Sequence, residues 1–376
     1  MRILFVSDIY SIHTVRWVNA LASRGHEVHL ASRDPDKAPV HKIADQVVLH
    51  SLGHYRKIAS IKAGFVLRKL ARQIRPDIIN AHFASSYGLT ARIAGAHPLL
   101  LNVWGSDVYA FPYKSLLNRQ ILKGNLLAAD RIASTSEVMA RQVRKLLGND
   151  QLPIDITPFG VDVDRFCLAR DYQHQENGAF IIGLVKTLKP VYGIEYLVRS
   201  IPLLLGQLHL FNPELAQQIR LHIYGEGPLE SSLKDLVAKL GLSQIVSFKG
   251  YVEHSRLPEI LSDMDLYCLS SLQESFGVSA IEAMASGLPI VATDTEGFRD
   301  IIRQEETGLL VPPADPQALA NAMFKLCSDQ SLRQSYGQAG LQRVKKLFDW
   351  EQNVTTMEQI YQEMVSRGAK SPGQQR

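Results

Sequence analysis

Short apolar runs recur along this chain, separated by longer stretches in which apolar positions return every three or four residues. The runs at 2–6, 27–31, 77–81, 99–103 and 131–134 read as strands. The stretches at 15–23, closed by Gly25, and at 65–74, closed before Pro76, read as helices. A polar stretch at 169–178 breaks the pattern. A second series follows, with strands at 180–185, 220–224, 245–249, 266–269, 289–293 and 308–311 and helices between them. Strand and helix alternating in this way predict parallel, doubly wound sheets. The expected fold class is α/β, with two Rossmann-like domains at 1–168 and 169–351 and a linker near 165–178. Ligand is expected in the cleft between them, at the C-terminal ends of strands. Residues 349–364 read as a terminal helix and 366–376 as a frayed tail.

The length of 376 residues suits two domains better than one. Hydrophobic content of 46% and charged content of 21% are those of a soluble globular chain. No apolar run approaches a membrane span of roughly 18 residues; the nearest, 201–211, is interrupted by Gln207 and His209. The first apolar run stops at Asp8, too short for a signal-peptide core, so a cytoplasmic protein is expected. Cys167, Cys268 and Cys327 are odd in number and widely spaced, which predicts reduced thiols with no metal role.

Charge is uneven. Residues 1–168 carry 22 Lys/Arg and 13 Asp/Glu, or +9, and residues 169–376 carry 19 and 24, or −5. The basic excess concentrates at Arg56, Lys57, Lys62, Arg68, Lys69, Arg72 and Arg75, and no acidic residue occurs from Gln46 to Pro76. Interleaved Ile58, Ile61, Phe65 and Leu70 predict an apolar stripe on a helix. Two readings stand. The helix lies on an anionic membrane, placing the protein peripherally on its inner face, or it packs its stripe on the domain core and solvates its charges. No nucleic-acid partner is expected.

The densest candidate chemistry lies at 273–293. Glu274 and Glu282 stand eight positions apart, Glu274 in a loop and Glu282 about two turns inside the helix that follows. Ser275 and Gly277 stand where a helix entry needs capping or close backbone approach. The first N–H groups of such a helix attract anions, and carboxylates accept well from vicinal hydroxyls. Backbone at Phe276, Gly277 and Val278 would grip a diphosphate, and the two carboxylates a sugar and a ribose. The plainer reading is an amphipathic helix with two solvated glutamates. Lys186 and Lys189 follow the strand at 180–185, where a cation suits a leaving diphosphate in the absence of a metal. Gly225 and Gly227 follow the strand at 220–224 and mark either backbone approach to a ligand or a simple turn. Glu230 stands where a dinucleotide fingerprint has its third glycine. His13, His82 and Asp107 each follow a strand of the first half and form a candidate acceptor or base group. Asp-x-Asp occurs at Asp34/Asp36, Asp162/Asp164 and Asp263/Asp265, none in a setting that suits a metal-bound diphosphate.

The pattern Glu-x7-Glu, continuing into Ala-Met-Ala-Ser-Gly-Leu-Pro-Ile-Val-Ala-Thr, resembles the family 4 retaining glycosyltransferases. So do Phe159-Gly160-Val161-Asp162 with Phe166, Tyr224-Gly225-Glu226-Gly227-Pro228-Leu229, and Thr307-Gly308-Leu309-Leu310-Val311-Pro312 with Asp315. Trp104-Gly105-Ser106-Asp107 is similar to that family's His-Gly-x-Asp, and the likeness covers about 1–362. It implies the GT-B fold, with a helix at about 352–365 crossing back onto the first domain. It also implies transfer of a sugar from a nucleotide-sugar to an acceptor hydroxyl with retention, without metal or other cofactor. The basic first half points to an envelope glycan or a lipid-linked oligosaccharide as the acceptor. Glu274 would hold the donor sugar and Glu282 the ribose. Lys186 matches the family's arginine. The family's second cation, before Gly193, is replaced here by Tyr192, with Lys189 three residues earlier. Trp104 replaces the motif's histidine, whose role is absent or falls to His82 or His13. A nicotinamide-dependent oxidoreductase and a non-enzymic sugar-binding module remain as alternatives.

Overall fold

The computed structural model describes residues 1–33, 41–53, 59–167 and 178–368. Arg56, Lys57, Ile58, Asp34, Asp36, most of the expected linker and the last eight residues lie outside them. The chain forms two compact units. The first is Met1–Phe159 with the C-terminal residues from Glu351, and the second is Gly160–Trp350. The sequence boundary near 168 thus shifts to Phe159. The turn at 160–167 belongs to the second unit because Val161 N–H donates to the Phe348 carbonyl (2.8 Å) and Trp350 N–H to that of Val161 (3.0 Å).

The first unit is built on β1 (Arg2–Val6), β2 (Glu27–Ser32), β3 (Val48–Ser51), β4 (Ile78–His82), β5 (Leu99–Val103), β6 (Arg131–Ser134) and β7 (Asp155–Ile156). All pairings are parallel, in the order β3-β2-β1-β4-β5-β6-β7. The central strands are buried on both faces, as parallel strands covered by helices must be. The edge strands β3 and β7 carry no such apolar signal: β3 is largely exposed and β7 has two residues. The helix Trp350–Gly368 packs on this unit from Glu351 onward. Arg24 pairs with Glu351 and Glu358 at 2.6 Å each, Arg131 pairs with Glu363, and Tyr361 reaches the buried Asn80.

The basic helix, Ala59–Ile74, turns a different face inward from the one its spacing predicts. Ala63 and Leu67 are buried, with Val66, Leu70, Ala71 and Ile74 packed beside them. Ile61 and Phe65 are exposed, Phe65 at 58%. Small residues decide this: an added Cβ on Gly64 would come within 2.6 Å of Ile93 on the neighbouring helix Tyr87–Ala94, so the close helix–helix contact selects the Ala63–Gly64–Leu67 side. Among the described residues no helix is long and apolar enough to cross a membrane.

The second unit has β8 (Phe180–Val185), β9 (Ile219–Tyr224), β10 (Val246–Gly250), β11 (Leu266–Leu269), β12 (Ile290–Thr293) and β13 (Gly308–Val311). They are parallel, in the order β10-β9-β8-β11-β12-β13. In both units the connections run outward in opposite directions from a central pair, β1/β4 in the first and β8/β11 in the second. A sheet of this kind binds ligands beyond the C-terminal ends of such a pair.

Candidate active site

In the second unit, the central pair carries the predicted chemistry. Lys186 leaves β8 with its N–H donated to Tyr224 at the end of β9 (2.9 Å). Its ammonium meets Glu274 Oε2 at 2.6 Å, and the two side chains are only 13% and 12% exposed. The ammonium also lies 4.5 Å from the centre of the Tyr192 ring. Tyr192, which stands where the resembled family has its second cation, is therefore a face on which the Lys186 ammonium rests. Lys189 is exposed and makes no ion pair or side-chain hydrogen bond among the described residues.

The loop after β11 that carries Glu274 is clamped from both sides. Leu272 N–H donates to Val191 (2.8 Å) and Gly297 N–H to the Glu274 carbonyl (3.0 Å). A Cβ at Gly297 would come within 2.7 Å of that carbonyl, so only glycine allows the contact. Gly225 and Gly227 do the same for the other loop. Their missing side chains leave room for the Lys186 and Leu188 carbonyls, which an added Cβ would meet at 2.1 and 2.5 Å. The close backbone approach that these glycines permit is thus to the chain's own Lys186 loop.

Gly277, with φ +103°, opens the helix Val278–Ala285, which has no side-chain cap at its N-terminus. Phe276 is buried against Phe348. Glu282 is the fifth residue of this helix, a little over one turn from its start, because the helix begins later than its small residues suggest. Its Oε1 lies 2.9 Å from His254 Nε2, and the His254 carbonyl accepts from Arg165. His254 went unseen in the sequence, although it shares its signal, a histidine soon after a strand, with His82.

Two of the other Asp-x-Asp carboxylates have structural roles. Asp162 caps the turn Val163–Phe166 through Arg165 N–H, and Asp265 accepts from Ile181 N–H. Among the described residues no cluster of His, Cys, Asp and Glu could hold a metal ion.

In the first unit the predicted residues gather beyond β1, β4 and β5, with His82 and Asp107 inside the protein and His13 half-buried. His82 has no exposed surface. Its Nδ1 lies 3.1 Å from Ser7 Oγ, which in turn lies 2.7 Å from Thr14 Oγ1. Its ring is 4.3 Å from that of Trp104, centre to centre. His13 stacks on Phe159 at 3.9 Å and meets Trp104 edge-on. Burial, with a smaller contribution from His13, pushes the His82 imidazole down to about 3. Such a group stays neutral at physiological pH and suits a hydrogen-bonding post better than a general base, which works best near its own pKa. Asp107 is also buried, its carboxylate taken up by the N–H groups of Ala84 (2.9 Å), Gly105 (2.8 Å) and Trp104 (3.2 Å). Burial pushes its carboxyl up, and these N–H groups pull it part of the way back. Asp107 therefore holds the turn after β5 together.

A pH dependence follows from His82. It titrates at about 3 when folded against 6.5 as a free side chain, so between these values the folded state binds fewer protons than the unfolded one. Its contribution is complete above 6.5 and is lost as pH falls, by about 2 kcal/mol at pH 5. Urea unfolding at pH 7.5 and pH 5 should show His82→Gln losing less stability on acidification than the wild type. Equal losses would remove His82 as the source.

Two family models match the chain: Glycosyl transferase 4-like over residues 2–136 and Glycosyl transferases group 1 over residues 169–343. The phosphatidyl-myo-inositol mannosyltransferase of Mycobacterium leprae is 31% identical over 242 residues, which are 64% of this chain and 60% of that protein. The match thus spans about 60% of that relative's length. Sucrose-phosphate synthase from Thermosynechococcus elongatus superposes with a TM-score of 0.81 at 22% identity, over 98% of this chain and 100% of its own. Anabaena HepE, solved with UDP-glucose, does so with a TM-score of 0.72 at 17% identity, over 98% and 100%. With both halves matched in order and each half a doubly wound parallel sheet, the chain belongs to the GT-B glycosyltransferases of the family 4 type.

Proposed function

We propose that the second unit binds a nucleotide-sugar and that the enzyme transfers the sugar to an acceptor hydroxyl with retention at the anomeric carbon. The observation that carries this reading is the Lys186–Glu274 pair at the central strands of the second sheet. The pair keeps a cation and a sugar-binding carboxylate in place before ligand arrives. When a diphosphate enters, Lys186 turns its charge to the leaving phosphate and Glu274 is freed for the hydroxyls of the donor sugar. The N–H groups at Phe276, Gly277 and Val278 take diphosphate oxygens, and Glu282, oriented by His254, takes the ribose. Gly225 and Gly227 position the Lys186 loop, while Lys189 adds charge at its exposed side. As the bond from the anomeric carbon to the phosphate oxygen breaks, the acceptor oxygen bonds to the same face, and the acceptor's proton passes to the leaving phosphate. His13 serves the acceptor side, with His82 and Asp107 holding the loops around it.

Thermal stability against a panel of nucleotide-sugars, with NADH as the contrasting ligand, tests this reading. A shift with one sugar nucleotide, absent with NADH and lost in Glu282→Ala, supports it. A shift with NADH alone would sink it. The reading also needs no divalent metal, because Lys186 supplies the positive charge. Turnover should persist in EDTA, and complete loss restored by Mn²⁺ or Mg²⁺ would contradict it.

The acceptor is a glycan or a lipid-linked glycan, and the exposed side of helix Ala59–Ile74 favours the second. Ile61 and Phe65 stand out to solvent beside Lys62, Lys69 and Arg72 on a segment without acidic residues. Each such cation contributes about 1 kcal/mol near an anionic membrane. The protein should sediment with anionic vesicles at low salt and release at high salt, and Phe65→Ser with Lys69→Gln should weaken the binding. Wild-type protein left in the supernatant would favour a soluble acceptor.

A further inference from the structure

We propose that the first unit carries a second anion site, a pocket for a phosphate group at the end of the sheet opposite His82 and Trp104. A cavity of about 480 Å³ is lined by Arg68, Arg72 and Arg75, together with His97, Ala71 and Ile79. Ile79 belongs to the start of β4, and His97 precedes the start of β5. The three arginines are spaced i, i+4, i+7, so they leave one side of the helix Ala59–Ile74 and its final turn. Phosphate oxygens are what clustered guanidinium forks recognise.

Ordinary helix-end compensation does not account for this cluster. A helix C-terminus attracts cations because its last carbonyls are unpaired. Both helix ends here are already served. Arg68 donates to Ile93 and Ala94 at 2.6 and 3.0 Å, closing the end of helix Tyr87–Ala94. Arg2 donates to Ile74 and Arg75 at 2.7 and 3.5 Å, closing the end of the basic helix. The nearby carboxylates are engaged as well: Asp77 accepts from Arg2 N–H, and Asp130 holds Leu99 N–H and the His97 ring. The Arg72 and Arg75 guanidinium groups make no ion pair or hydrogen bond among the described residues, yet they share one pocket with a third arginine that is fixed in place. From Gln46 to Ala129 the only acidic residues are Asp77 and Asp107, so the segment that carries these arginines offers them no free carboxylate, and a bound phosphate would supply the counter-charge.

The phosphate has two sources, a lipid headgroup or a soluble phosphate ester, and the test separates them. Glycerol 3-phosphate is titrated by calorimetry into the wild type, Arg72→Gln/Arg75→Gln, and Arg119→Gln/Lys123→Gln, which removes the same charge from the neighbouring helix Leu116–Leu127. Phosphatidylglycerol vesicles are then sedimented with each protein. The expected result is a roughly ten-fold or greater loss of glycerol 3-phosphate affinity in the Arg72/Arg75 variant only. If glycerol 3-phosphate displaces the wild type from the vesicles, the source is a headgroup; if vesicle binding is unchanged by it, the source is a soluble ester. Lys186→Ala should leave this binding intact while weakening the donor's, so failure here and failure of the donor assignment are told apart. No uptake of either probe by the wild type, or equal losses in both double variants, overturns the site. Arg75→Gln alone, beyond the helix end, gives the same direction should the double variant not fold.

Discussion

Replacing Lys186 with alanine should lower the turnover number roughly 100- to 1,000-fold, the cost of removing one preorganised group from a developing negative charge. Charge on the leaving phosphate grows as the glycosidic bond breaks, so the loss falls on turnover at saturating donor and not on KM alone. The structure adds a second effect. Lys186 is the partner of Glu274 at 2.6 Å, and both side chains are mostly buried. Without it, Glu274 becomes an unpaired carboxylate facing an incoming diphosphate. Donor binding should therefore weaken as well, and Lys186→Ala/Glu274→Gln should recover binding without recovering turnover. An unchanged turnover number in Lys186→Ala would remove this residue from the chemistry.

Glu282→Ala should raise the donor KM about 10- to 150-fold, from roughly 1.5–3 kcal/mol of charged hydrogen bonding, with turnover within a few-fold of the wild type. A ribose contact is made in the ground state and the transition state alike, which is the signature of uniform binding. His254→Ala should move KM in the same direction by less, since His254 acts on the ribose through Glu282, 2.9 Å away. A Glu282→Ala enzyme with wild-type KM would end the ribose assignment.

The central strands were legible because most are nearly continuous apolar runs, as at Phe180–Val185 and Leu266–Leu269. The edge strands β3 and β7 were not, because a short or solvent-facing strand has no apolar run to display. The basic helix was legible as a helix, but its inward face was misread. Helical periodicity weighs Ile61 and Phe65 above Ala63, whereas packing against helix Tyr87–Ala94 prefers the small residues. Lys186, Glu274 and Glu282 were singled out by a charge after a strand, in a loop and inside the helix that follows it, and the structure places the first two against each other. His254 and Gly297 were missed, since their roles exist only through contacts with residues 28 and 23 positions away.

The sequence by itself determined the two doubly wound halves and singled out the run of glycines and carboxylates at 273–293, because these follow from local periodicity and from residue types that few other settings use. Tertiary structure alone decided that Lys186 and Glu274, 88 positions apart, form one ion pair. It alone showed that Gly225 and Gly227 make room for the Lys186 loop and that Tyr192 supports the cation whose neighbour it replaces. It also withdrew His82 and Asp107 from solvent, although they end strands as Lys186 does. The physical reason is common to all of these. A side chain's charge state and partners depend on which strands lie side by side and on how deeply their ends are covered, and neither quantity is written in any local stretch of the chain.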